Sequence, residues 1–159
     1  MQFFKSISVL ALAAQSLAGL SQYQFFAKAG YDVLDGRGLY YIHEGAAINY
    51  YFVSNSTDSS SASVVTYDDE AQEFYYQVNP QIKFVLTQQG GVLQLSAGEP
   101  LKTTICEDGT ISFNGSEYLS AVKDINDPYG YSKDSFAVTV KDDHGGIPIS
   151  IEARKYESS

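Results

Sequence analysis

The feature that most constrains this chain is a repeated succession of short apolar/polar alternations, each closed by turn residues. Phe136, Val138 and Val140 interleave with Ala137, Thr139 and Lys141, and Ile147, Ile149 and Ile151 interleave with Pro148, Ser150 and Glu152. Successive side chains of a strand point to opposite faces, so each run reads as a half-buried strand. The five residues Asp142 to Gly146 between them suit a hairpin loop. Pro148 cannot donate to a ladder, so the last strand is expected at an edge or with its proline on an unpaired side. Ile82, Phe84 and Leu86 alternate in the same way before Gln88-Gln89-Gly90-Gly91 and the run Val92 to Ser96, which predicts another hairpin. Leu101 to Ile105 and Ile111 to Phe113 flank Glu107-Asp108-Gly109, and Asn114-Gly115 turns the chain toward Tyr118 to Val122. Gly38 to His43, Ile48 to Val53 and Phe74 to Val78 read as tyrosine-rich strands, and no segment reads convincingly as a helix. About ten short strands with turn signals at intervals of about 8–12 residues predict an all-β domain, an antiparallel β-sandwich or barrel. A β-trefoil is the alternative of suitable size, although no clean threefold repeat is visible.

Composition agrees with a single aromatic β core. The chain has 159 residues, 44% apolar, with 13 Tyr and 9 Phe but no Trp. Length and apolar content suffice for one folded domain. Nineteen acidic against ten basic residues give a formal charge of −9. Such a surface cannot neutralise phosphates, which argues against nucleic acid and anionic membrane as partners.

Residues 1–18 are expected to be a secretory leader and 19–159 the single β domain. Lys5 precedes the apolar stretch Ile7 to Ala14, and Ser16-Leu17-Ala18 ends in the small-x-small pattern of a cleavage site. The stretch falls short of the roughly 20 apolar residues of a membrane span. The C-terminal residues Glu152 to Ser159 are polar, unlike the hydrophobic tail of about 10–20 residues that signals a glycolipid anchor, so no membrane anchor is expected. Export exposes thiols to oxidation, yet Cys106 is the only cysteine. Strand alternation places it opposite Leu101, Thr103 and Ile105, where it is either an inert thiol or the site of an intermolecular disulfide.

Asn55-Ser56-Thr57 and Asn114-Gly115-Ser116 match the N-glycosylation acceptor pattern. Asn55 lies in Ser54 to Ser63, a surface loop with seven hydroxyl residues in ten, whereas Asn114-Gly115 is also a good type I′ turn. Catalytic signatures are weak. His43-Glu44 is followed by Ala47 where a zinc protease needs histidine, and a site using His43 with His144 would need the two to meet in space. Asp68-Asp69-Glu70, Asp124 with Asp127, and Asp142-Asp143 supply carboxylates in predicted loops, where solvated faces are commoner than catalytic pairs. Asp124 to Gly130 resembles a calcium loop, but its glycine comes one place late and no distal glutamate follows. No catalytic residue, metal or cofactor is therefore expected. Tyr129 and Tyr131 are candidates for stacking on sugar rings, their alternative role being cross-strand cover.

Tyr41-Ile42-His43-Glu44-Gly45-Ala46-Ala47-Ile48-Asn49-Tyr50, with Gly91 to Leu95, Asp108 to Gly115, Tyr118 to Ala121 and the Phe136 to Val140 strand, resembles the fungal PhiA-type cell-wall proteins. The resemblance implies a secreted, non-catalytic wall component with no active-site residues to carry over. The expectation is thus a secreted, glycosylated cell-wall or extracellular-matrix protein that packs or binds and does not catalyse, with wall polysaccharide or wall proteins as partners. A secreted lectin-like carbohydrate-binding module is the first alternative, and a small glycan hydrolase the second.

Overall fold

The structure is a computed structural model that describes residues 19–30, 33–113, 115–140 and 146–157. The expected leader, the Asn114 acceptor, and the 141–145 connection with Asp142, Asp143 and His144 lie outside the described residues.

Among the described residues twelve strands form: β1 (Leu20–Lys28), β2 (Leu39–Gly45), β3 (Ile48–Val53), β4 (Val64–Asp68), β5 (Glu73–Asn79), β6 (Ile82–Gln89), β7 (Val92–Ser96), β8 (Thr103–Ile105), β9 (Ile111–Phe113), β10 (Leu119–Val122), β11 (Phe136–Thr139) and β12 (Ile147–Lys155). Among the described residues the only helical pieces are 3₁₀ turns at Ser59–Ser61 and Tyr131–Lys133. All strand pairs are antiparallel. Ten strands make one sheet in the order β10-β12-β1-β4-β5-β6-β7-β11-β3-β2, while β8 and β9 pair separately. Because β10 also pairs with β11, the large sheet returns on itself as a ring. The hairpin β2–β3 lies across this ring, with β3 pairing to both β7 and β11 and Gly38 bridging to Phe26 of β1. This is the expected all-β, sandwich-like arrangement, and its strand order has no threefold repetition of the trefoil kind.

Two expectations change. The runs at 136–140 and 147–151 do not form a hairpin with each other, since β10 stands between them, paired to β11 on one side and to β12 on the other. All four residues of β10 are buried, so the strand suits an interior position better than an edge. The strand expected from Leu101 begins at Thr103, because Pro100 offers no N–H and Leu101 donates instead to the Leu86 carbonyl. At Pro148 the strand β12 is paired only to β10, its pairing to β1 covering Ser150 to Lys155. The proline thus sits where one side of the strand carries no ladder. The hairpin β6–β7 closes through Gly90 and Gly91, both at positive φ (61° and 86°), the backbone a two-residue turn requires.

Inward side chains of the ring build an aromatic core. Phe74, Phe25, Tyr51, Leu86, Leu93, Leu95 and Ile151 are fully or almost fully buried. Phe74 sits edge-on to Phe25 at 4.8 Å and against Tyr67 at 4.6 Å between ring centroids. Such pairs add about 0.5–1.5 kcal/mol each to the burial of the rings themselves. Strand β3 is covered on both faces: Tyr51 points into the core, and Phe52 is fully buried beneath Tyr40 and Tyr131. A satisfied polar clamp fixes β3 on β7, in which the Asn49 side-chain amide donates to the Leu95 carbonyl (2.8 Å) and the Asn49 N–H donates to Ser96 Oγ (3.0 Å).

Candidate functional site

The segment 123–135 joins β10 to β11 and carries the two tyrosines singled out in the sequence. Asp127-Pro128-Tyr129-Gly130 is a turn sequence with proline at its second and glycine at its fourth position, and the Gly130 N–H donates to the Asp127 carbonyl at 3.1 Å. The Asp127 side chain then caps the following 3₁₀ turn. It accepts from the Tyr131 N–H (2.8 Å), the Ser132 N–H (3.2 Å) and the Ser132 hydroxyl. Ser132 Oγ in turn accepts from the Ile125 N–H at 3.0 Å, and the Ser132 carbonyl accepts from the Asp124 N–H at 2.8 Å. These bonds hold Asp124 and Asn126 at positive φ, 57° and 62°, a conformation that costs energy in any residue with a Cβ and persists only where its surroundings enforce it.

The folded segment presents an aromatic strip. Tyr129 is 53% and Tyr131 39% exposed, with ring centroids 6.0 Å apart. The ring of His43 abuts Tyr129 at 5.7 Å, and Tyr131 rests edge-on against buried Phe52 at 6.2 Å. Beside the strip lies a cleft of about 460 Å³ lined by Asn126, Pro128, Asp124 and Lys133 among others. Apolar ring faces beside polar rims are what a sugar, apolar on its C–H face and polar at its hydroxyls, can use.

Under the strip is a residue that the sequence marks only as part of an incomplete zinc motif. Glu44 falls where the β2–β3 register shifts between His43 and Gly45, and the irregularity aims its side chain inward. It is 1% exposed, and its Oε1 accepts the Tyr129 N–H at 2.8 Å across 85 residues of sequence. Its Oε2 is buried with no hydrogen-bond partner, and its acidic neighbour is the Asp127 carboxyl, itself 7% exposed. Two carboxyl groups in that relation share one proton. Burial, with Asp127 beside it, raises the Glu44 carboxyl from the ordinary 4.5 to about 7. Asp127, although desolvated, is held down at about 2 by its bonds to Glu44 and Ser132. The Tyr50 hydroxyl is pushed upward by burial and by the same two acids. The one signal of Glu44 in the sequence is parity, since it follows Tyr40 and Ile42 on their side of an alternating strand.

The other candidates do not join this site. Asn55 is exposed in the serine-rich loop, where Arg37 donates to its side-chain oxygen at 3.4 Å. That loop is tied back to the sheet by Gln24, which donates to the carbonyls of Ser59 (2.7 Å) and Ala62 (2.9 Å). Cys106 is exposed in the β8–β9 turn, where the Gly109 N–H donates to its carbonyl. Asp68 ends β4 and accepts the N–H groups of Glu70 and Ala71 in the turn that follows. No group of three His, Cys, Asp or Glu able to hold a metal occurs among the described residues, and none of their helices is long and apolar enough to cross a membrane.

No described protein family and no solved structure matches the chain. Curated proteins do. Over 97% of its length the chain is 39% identical to cell wall protein PGA30 and 39% identical to cell wall protein PGA31 of Candida albicans. Over 94% of its length it is 37% identical to cell wall protein RHD3 of the same organism, of which the match covers 73%. The chain belongs to this family of fungal cell wall proteins. It spans about half of the first two relatives, 55% and 53% of their lengths. The cell-wall part of the resemblance read from the sequence therefore holds, while the names of these relatives are not those of PhiA-type proteins.

Proposed function

We propose that this domain is a secreted, glycosylated wall protein that works by contact and not by turnover, holding to uncharged wall polysaccharide through the strip of Tyr129, Tyr131 and His43. The observation that carries the reading is that strip: two exposed tyrosines held rigid by a hydrogen-bonded turn, in a chain whose relatives are cell wall proteins. Free exposed tyrosines would order on binding at an entropic cost, whereas these are ordered beforehand. The surplus of acidic residues disfavours anionic polymers, which leaves uncharged glycans as the fitting class. Asn55 stands exposed for an N-linked glycan, Asn114 is the second acceptor, and Cys106 is exposed for a disulfide to a wall protein.

A hydrolase reading finds no support in the acid pair Glu44 and Asp127. Glycosidase carboxyls stand about 5–5.5 Å apart for retention and about 6.5–9.5 Å apart for inversion. Glu44 and Asp127 are instead buried beneath the Tyr129 turn, where a glycan does not reach them.

Fractionation of the producing cells into medium, hot-detergent extract and glucanase-released wall, with and without deglycosylation and thiol reduction, tests the reading. Recovery from the glucanase-released fraction with a glycan-dependent mass shift is expected. Unmodified protein found only in the medium would overturn it.

A further inference from the structure

Glu44 and Asp127 do more than support the strip. Resting on the polysaccharide reading above, we propose that the Tyr129–Tyr131 platform is latched in its binding shape by one proton shared between Glu44 and Asp127, so that uncharged wall polysaccharide is held in acid and released in mild alkali.

The geometry assigns the proton. Asp127 accepts three hydrogen bonds from donors of its own turn, the Tyr131 N–H and the Ser132 N–H and hydroxyl, an environment that favours its ionised form. Glu44 Oε1 accepts the Tyr129 N–H, which leaves Oε2, buried and otherwise unpartnered, as the atom able to donate toward Asp127. Protonated, Glu44 ties β2 to both ends of the tyrosine turn: to Tyr129 directly, and to Tyr131 through Asp127. Ionised, it would place a second negative charge beside Asp127 in a buried site, an arrangement that buried carboxyl pairs avoid. The side that can yield is the segment 124–134, which already holds Asp124 and Asn126 in costly backbone conformations. Burial puts the proton's release near neutrality, at about 7.

The other titratable or charged groups around Glu44 are few. On β2 its neighbour His43 packs edge-on against Tyr129, and on β3 the Tyr50 hydroxyl is held neutral by burial and by the charge of both acids. On the loop, Asp124 and Lys133 line the adjacent cleft. His43 touches Tyr129 directly, so it needs its own control.

The test uses the full chain with two separate readouts. The first is the ¹⁵N–¹H resonance of the Tyr129 amide in the free protein, titrated from pH 5 to 9. The second is co-sedimentation with insoluble β-1,3-glucan at pH 6 and pH 8. The wild type is expected to show a Tyr129 transition near neutrality and about a tenfold fall in glucan retention between the two pH values, as loss of a single linked proton requires. Glu44→Gln keeps both hydrogen bonds, accepting from Tyr129 and donating to Asp127, and should abolish the transition and hold glucan equally at both pH values. Asp127→Asn should move the transition of Glu44 to lower pH. His43→Gln should leave the transition in place. A wild-type transition that persists in Glu44→Gln, or one that disappears in His43→Gln, would overturn the latch. A Glu44-dependent transition with no glucan retained at any pH would leave the latch standing and overturn the polysaccharide reading, and with it the binding half of the proposal.

Discussion

Tyrosine is used in two opposite ways in this molecule. In the core, Tyr51 and Tyr67 are buried against Phe25 and Phe74, and Tyr67 donates its hydroxyl to the Thr103 carbonyl at 2.7 Å. Their positions follow from packing, and burial raises both hydroxyls above the ordinary value, with Asp69 and Asp68 adding to it at Tyr67. In the 123–135 segment, Tyr129 and Tyr131 stand outward, and what places them is a chain of hydrogen bonds to two carboxyl groups. The core is fixed by area removed from water, the platform by who holds a proton. The first should respond to volume and ignore pH, and the second should do the reverse.

The largest effect should come from the core. Phe74→Ala removes a fully buried ring with three aromatic neighbours, and about 3–5 kcal/mol of unfolding free energy should be lost in a denaturant titration, with nearly the same loss at pH 5 and pH 8. A loss that changed strongly with pH would blur the distinction between the regions.

Next comes the pH dependence of the wild type. Glu44 binds its proton more tightly when folded, at about 7 against 4.5, so its contribution is complete below 4.5 and is lost as pH rises through 7. Asp127 runs the other way, from 3.8 down to about 2, contributing above 3.8 and losing that contribution as pH falls through 2. Stability from the pair should therefore peak between these windows, near pH 4 to 4.5. It should decline by about 3 kcal/mol toward pH 8 if the whole Glu44 shift is expressed in folding. In Glu44→Gln the decline above pH 4.5 should vanish, which thermal unfolding across pH would show.

Smaller effects sharpen the contrast within the platform. Gly130 has φ 73°, and a Cβ placed there would meet nothing nearer than the Lys133 side chain at 3.9 Å. Gly130→Ala should therefore cost about 1–2 kcal/mol through backbone strain alone, read by denaturation. Tyr129→Ala removes a half-exposed ring and should change stability by less than about 0.5 kcal/mol while abolishing glycan retention. A large stability loss there would make Tyr129 a packing residue.

What the sequence revealed and what it hid divide along the same line. Strands β3, β7 and β9 run between the residues read from the tyrosine-rich and apolar runs, because β-prone runs closed by turn residues are written in local order. Strands β1 and β4 carry no such legible mark, although both stand inside the ring between paired neighbours. Leu20 to Lys28 directly follows the expected leader, without a turn signal on its N-terminal side, and Val64 to Asp68 is a run of only five residues. The nearness of Tyr129 to Tyr131 was legible from their spacing. Their dependence on Glu44 was not, since parity puts Glu44 on the side of Tyr40 and Ile42 but the contact itself spans 85 residues.

The central claim, that exposed tyrosines hold this domain to the wall, is tested most directly by expressing Tyr129→Ala/Tyr131→Ala beside the wild type and measuring how each folded protein partitions between glucanase-released wall and medium. The account predicts that the double variant keeps its fold and shifts into the medium. Equal retention of the two proteins in the wall would contradict it.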